Sequence, residues 1–139
     1  MAHIDKLIKK LEIYDKVLFT GPLYGNSKLE AYVDADVLVY PAVYEIFGLV
    51  PFEALSCGTP VIVANNCGCG EIIKNWGCGY VVKYGDLQDM KNKIRLALND
   101  DITNQKMINI GKKYINTELN LNKIAADLEK VYEDCICNF

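Results

Sequence analysis

Tyr40-Pro-Ala-Val-Tyr-Glu-Ile-Phe-Gly-Leu-Val-Pro-Phe-Glu-Ala-Leu-Ser-Cys-Gly-Thr-Pro-Val-Ile-Val-Ala64 is the stretch on which the reading of the fold turns. The apolar run Val37 to Tyr40 reads as a buried strand that ends at Pro41, and a short loop follows with Glu45, Phe47 and Gly48. A helix should start near Leu49 with Pro51 in its first turn, where a missing N–H costs nothing. Gly58 should stop that helix, and Thr59-Pro60 should turn the chain into a second strand, Val61 to Ala64. The unit is strand, loop, helix, strand. Its loop lies at a strand's carboxyl end, and the following helix N-terminus is where anions bind in open parallel sheets.

Two carboxylates bracket that helix start, Glu45 in the loop and Glu53 in the first turns of the helix. Between them fall the N–H groups of Gly48, Leu49 and Val50, which lack intrahelical partners and sit at the positive end of the dipole. An ionised carboxylate only accepts hydrogen bonds, so it suits a hydroxyl-rich partner. The layout therefore fits a ligand with a diphosphate in the middle and a polyol at each end, the shape of a nucleotide sugar. Taken singly, Glu53 has a plainer reading, because acids favour the first turn of any helix. Glu45 beside Phe47-Gly48 has no such routine explanation.

These residues resemble a known family. The Glu-x7-Glu pair (Glu45, Glu53), with Phe47-Gly48-Leu49 and the run from Glu53 through Cys57-Gly-Thr-Pro-Val61, is similar to the signature of retaining glycosyltransferases of family 4. The resemblance extends from Val17-Leu-Phe-Thr-Gly21 through Ala35 to Pro41, and on to Gly79-Tyr-Val-Val82 and Gly85-Asp86. It implies the C-terminal, donor-binding half of a GT-B enzyme built from two Rossmann-like domains. The expected fold class is α/β, an open parallel sheet of about four strands with helices on both faces, residues 1–139 forming one partial domain. By resemblance the activity is transfer of a sugar from a nucleotide diphosphate donor with retention at the anomeric carbon.

The resemblance also assigns roles. Glu45 is the catalytic-site acid that binds donor-sugar hydroxyls, Gly48 and Leu49 hold the phosphate, and Glu53 binds the ribose. Leu23, after Gly21-Pro22, lies against the base, and Phe47, Val50, Gly21 and Gly68 complete the donor set. No metal and no cofactor beyond the donor substrate are expected, and the departing phosphate takes the acceptor proton. In the family two earlier strands carry an arginine or lysine pair that neutralises the diphosphate, and a further domain binds the acceptor. This sequence is expected to start after both, so the 139-residue chain is expected to be inactive alone. Family sheet order separates Val17 to Thr20 from the other strands by two absent ones; either it slides against Val37 to Tyr40 or a second copy fills the gap, and the expectation is self-association. The alternatives are a non-catalytic nucleotide-sugar-binding subunit completed by another chain, or another GT-B enzyme such as an epimerase. The latter would want acid–base residues beyond the one histidine, His3.

The bulk numbers agree with one domain. The chain has 139 residues, room for a substantial core. Its apolar fraction of 51% suits strands covered on both faces. With net charge −3 and no dense basic run, nothing points to nucleic acid. No apolar run reaches membrane-spanning length and no signal-peptide core is visible, so the expectation is a soluble cytoplasmic chain, with any membrane association left open. Six cysteines include two Cys-x-Cys pairs, Cys67/Cys69 and Cys135/Cys137. Zinc knuckles use Cys-x2-Cys spacing, so reduced thiols are the simpler reading. Asp34-Ala-Asp36 reads as a solvated turn and not a cation site.

Along the rest of the chain, residues 2 to 13 read as an amphipathic helix through Ile4, Leu7, Ile8 and Leu11. Val17 to Thr20 reads as a strand, and Ser27 with Glu30 as a capping box for a helix ending near Ala35. Asn65 to Glu71 reads as a glycine loop facing the same cleft as Glu45, before a short helix to about Asn75; Trp76 is expected to pack over that helix end, the alternative being a sugar platform. Tyr80 to Lys83 reads as the last strand, and Asp86 as the cap of a helix with Leu87, Met90, Ile94 and Leu98 inward. A helix from Thr103 should turn Met107, Ile110 and Tyr114 inward, and one from about Leu121 should pack Ile124, Leu128, Val131 and Tyr132 as core.

Overall fold

The computed structural model describes residues 2–42 and 44–137. At its centre is a three-stranded parallel sheet, β1 (Leu38–Tyr40), β2 (Val61–Ala64) and β3 (Tyr80–Val82), in the order β1-β2-β3. Leu38 pairs with Val61 and Tyr40 with Val63, while Ile62 pairs with Tyr80 and Ala64 with Val82. Around the sheet lie α1 (Ala2–Leu11), α2 (Gly25–Val33), α3 (Val50–Cys57), α4 (Gly68–Trp76), α5 (Leu87–Ala97), α6 (Asp101–Glu118) and α7 (Leu121–Cys137).

Alternation along β2 divides the core. Val61 and Val63 face Phe52, Ala54 and Leu55 of α3, Ile73 of α4 and Ile108 of α6. Ile62 faces the other way, with Tyr80, Val82 and Ala97, against Met90 and Ile94 of α5. Every residue of β2 is therefore buried, as a strand with helices on both faces requires. The expected α/β class with both faces covered is what the chain adopts. One buried polar residue joins the layers: Asn104 on α6 donates to the Ala97 carbonyl at 2.6 Å and accepts from Tyr80 OH at 3.0 Å. Both ends of the amide are thereby satisfied.

The unit quoted at the outset forms as read. α3 starts after Leu49 with Pro51 in its first turn, and Gly58 ends it at φ +97°, the left-handed value that favours glycine. Thr59 leads back into β2, its N–H donating to the Ala54 carbonyl. Asp86 caps α5 by accepting from Gln88 and Asp89 N–H.

Five expectations are corrected. Val17 to Thr20 is irregular, with Leu18 and Phe19 exposed, so the sheet has three strands and not about four. An extended segment becomes a strand only when a neighbour meets its backbone groups, and no described strand does so here. β1 is an edge, paired only with β2, and is half-exposed where full burial was expected. Ser27 does not cap α2, because the helix starts at Gly25 and leaves Ser27 inside its first turn. α4 starts at Gly68, so Gly68 to Glu71 belong to the helix and not to a loop.

The helix stripes are the fifth. On α6 the buried residues are Asn104, Ile108 and Gly111; Met107 packs against the core as expected, while Ile110 and Tyr114 stay 37% exposed at its margin. Leu87 and Leu98 at the ends of α5 are exposed. On α7 all of Ile124, Leu128, Val131 and Tyr132 are exposed, so periodicity marked a face without marking what covers it.

Candidate functional site

The loop between β1 and α3 carries Glu45 and leads to Gly48 at φ +78°. Gly48 is buried: a Cβ there would come within 3.0 Å of Cys69 Sγ and 3.1 Å of Glu45 Cγ. The position needs glycine for conformation and for room. Among the described residues, no acceptor meets the N–H groups of Gly48, Leu49 or Val50, and α3 has no side-chain N-cap. Leu49 and Phe47 are exposed and Val50 is half-buried, whereas Gly48 is buried.

Each glutamate is held by a tyrosine. Tyr40, the last residue of β1, donates to Glu45 Oε2 at 3.0 Å. Tyr32 on α2 donates to Glu53 Oε2 at 3.0 Å, and Lys28 donates to Glu53 Oε1 at 2.8 Å. Burial first, then the bond to Glu45, pushes the Tyr40 phenol up to about 12. Burial and the bond to Glu53 do the same for Tyr32, and the charge of Tyr40 contributes to that rise. Tyr32 and Tyr40 both pack against the core cluster around Leu55, and the α3 tip falls between Glu45 and Glu53 in the chain. The bond from Lys28 holds the Glu53 carboxyl below its usual range, against a smaller opposing effect of burial. Glu53 is thus an ionised, accept-only group at neutral pH.

α4 closes the site from behind. A Cβ on Gly68 would lie 2.1 Å from the Ile46 carbonyl oxygen, and one on Gly70 would lie 2.1 Å from that of Ala64. Both glycines let α4 press on the site loop and on the end of β2. Cys67 and Cys69 are buried with their sulfurs 3.3 Å apart, and burial pushes the Cys69 thiol up to about 12. A thiol so held is a poor thiolate donor for metal. Among the described residues no three His, Cys, Asp or Glu groups converge as a metal site. Cys135 is exposed on α7, and the Cys137 side chain lies outside the described residues. Asp34 ends α2, its N–H bonded to the Glu30 carbonyl, which is the turn role read for it.

Trp76 packs as expected. It stacks on Tyr114 with ring centres 5.0 Å apart and meets Phe52 edge-on at 5.8 Å. Phe52 in turn lies 5.5 Å from Phe47, so aromatic rings run from the site loop to α6. Gly21 is exposed and Leu23 half-buried on the segment entering α2. His3 is exposed on α1. A cavity of about 560 Å³ lies at the opposite, amino end of β1 and β2, lined by Asp36, Pro60, Asp101 and Asn104, and includes neither glutamate.

Sequence reading missed Lys28, Tyr32, Tyr40 and Tyr44. Lys28 and Tyr32 carried one signal, their spacing of one helical turn. Tyr44 adopts φ +62° beside Glu45 and is almost fully exposed, a strained backbone of the kind that gathers at functional loops.

Residues 2–114 match the family model described as glycosyl transferases group 1. The chain belongs to that family. An uncharacterised glycosyltransferase of Methanocaldococcus jannaschii is 32% identical over 94% of this chain and 34% of its own length. The N-acetyl-alpha-D-glucosaminyl L-malate synthase of Bacillus anthracis is 29% identical over 96% of this chain and 34% of its own. Among solved structures, sucrose-phosphate synthase from Thermosynechococcus elongatus superposes with a TM-score of 0.82 at 28% identity, covering 99% of this chain and 35% of that one. This group 1 domain thus spans about a third of the length of the relatives it matches. No helix among its described residues is long and apolar enough to cross a membrane.

Proposed function

We propose that this group 1 domain is the donor-binding part of a retaining glycosyltransferase that moves a hexosyl group from a nucleotide diphosphate sugar. The observation that carries the reading is the α3 tip, with free amide groups, between two acids each oriented by a tyrosine. Glu45 accepts from the hydroxyls of the donor sugar, Gly48, Leu49 and Val50 N–H groups take the diphosphate, and Glu53 takes the ribose. Phe47 and Gly68 shape the loop, and Gly21 and Leu23 border the base. Catalysis in the whole enzyme rests on positioning and on stabilising the leaving diphosphate, which accepts the proton from the acceptor. No resident metal or cofactor is invoked. The compartment proposed is the cytoplasm, supported by the free thiols of Cys57, Cys67, Cys69 and Cys78.

Calorimetric titration with UDP, GDP and ADP tests the reading. One of the three should bind, and Glu53→Ala should weaken it about tenfold or more, the effect of losing hydrogen bonds to a charged group. The isolated chain should bind without transferring sugar. Failure of all three nucleotides to bind overturns the assignment, and measurable transfer overturns the claim of inactivity.

Self-association is part of the same proposal, supported by exposed Leu18 and Phe19, the open edge of β1, exposed Ile4, Leu7 and Leu11 on α1, and the uncovered apolar stripe of α7. Light scattering should give a mass above that of one chain that falls on dilution. A constant monomer mass at all concentrations refutes it.

A further inference from the structure

Two side chains of α2 complete the surroundings of Glu53. Lys28 and Tyr32 are four residues apart and therefore stand on the same helix face. Lys28 bonds one carboxylate oxygen and Tyr32 the other. Tyr32 is fixed from its main chain as well, because its carbonyl accepts the hydroxyl of buried Thr59. Each carboxylate oxygen offers two lone-pair positions. One on each is taken, so one on each remains for a ligand. The matching donor is a pair of hydroxyls on adjacent carbons.

Charge points the same way. The Glu53 and Lys28 side chains are each about a third exposed, and such pairs add little to folding. Beside a diphosphate, however, an uncompensated carboxylate would repel the ligand, and the ammonium at 2.8 Å cancels that charge.

We infer that Lys28 and Tyr32 are positioning residues that hold Glu53 as a two-pronged acceptor, so selectivity for the cis-diol of a ribonucleotide is set on α2. The inference rests on the donor-binding reading above and adds to it the two residues that shape the ribose acceptor.

The test is a ratio. The nucleoside diphosphate that binds wild type most tightly is compared with its dideoxyribose analogue, using wild type, Lys28→Met, Lys28→Arg and Tyr32→Phe. Wild type should prefer the ribose form about tenfold, and Lys28→Met should bring the ratio to within about twofold, as expected when a charge-assisted hydrogen bond loses its geometry. Tyr32→Phe should reduce the preference in part, and Lys28→Arg should retain most of it. If the variants weaken both ligands in proportion, or only lower the melting temperature, the two residues are structural and the inference fails. Should Lys28→Met not fold, Tyr32→Phe decides alone: an unchanged ratio refutes the proposal. Absence of binding by wild type is a different result, because it removes the donor-binding reading itself.

Discussion

Gly70→Ala should destabilise the domain by about 3 kcal/mol, the upper range for overpacking a close contact. In an ordinary helix the same change would stabilise by about 1 kcal/mol, because alanine is the better helix former. The sign therefore reports the environment. A Cβ at Gly70 would sit 2.1 Å from the Ala64 carbonyl oxygen at the end of β2, a backbone atom that cannot rotate away. α4 must lift off the sheet to admit it. Gly77→Ala is the control, since Gly77 has φ +66° and open space around it, so only conformational strain of about 1–2 kcal/mol applies. Urea unfolding of both variants settles the comparison. A Gly70→Ala midpoint at or above that of wild type would mean that α4 does not pack as described.

Leu55→Ala carries the second large effect. Leu55 is fully buried in the cluster that joins α3, α4, α6 and β2. It lies where α6 comes closest, because a Cβ at Gly111 would be 3.1 Å from Leu55 Cδ1. Truncation removes the transfer free energy and leaves a cavity, a loss of about 2–5 kcal/mol. That is a large share of the roughly 5–15 kcal/mol that stabilises a typical domain. Leu55→Met should cost less than about 1.5 kcal/mol, because volume is kept. Adding Gly111→Ala to Leu55→Ala should recover part of the loss by filling space and favouring the helix. If Leu55→Ala unfolds within about 0.5 kcal/mol of wild type, the surface-mutation range, α3 is not the centre of the core.

Of the candidate site, the local order of residues was legible in the sequence. Glu45, Gly48 and Glu53 stand close in sequence on one loop and one helix, and their spacing placed them around the same helix tip. The partners of the glutamates were not legible. Tyr32 and Lys28 reach Glu53 from another helix, and Tyr40 holds Glu45 only because β1 ends at that residue. Gly68 and Gly70 show the same limit from the other side. Their flexibility suggested a loop, whereas each is small because a carbonyl from a different segment presses on it.

By itself, then, the order of residues settled the strand–loop–helix–strand unit, the ends of α3 and the family. Those depend on proline and glycine backbone preferences, on helix-end amides and on alternation, all of which act within a few residues. Tertiary structure alone decided that Val17 to Thr20 would stay unpaired, that β1 would be an edge, and that α7 would keep its apolar face in solvent. A strand needs a partner and a stripe needs a cover, and both come from distant parts of the chain or from outside it.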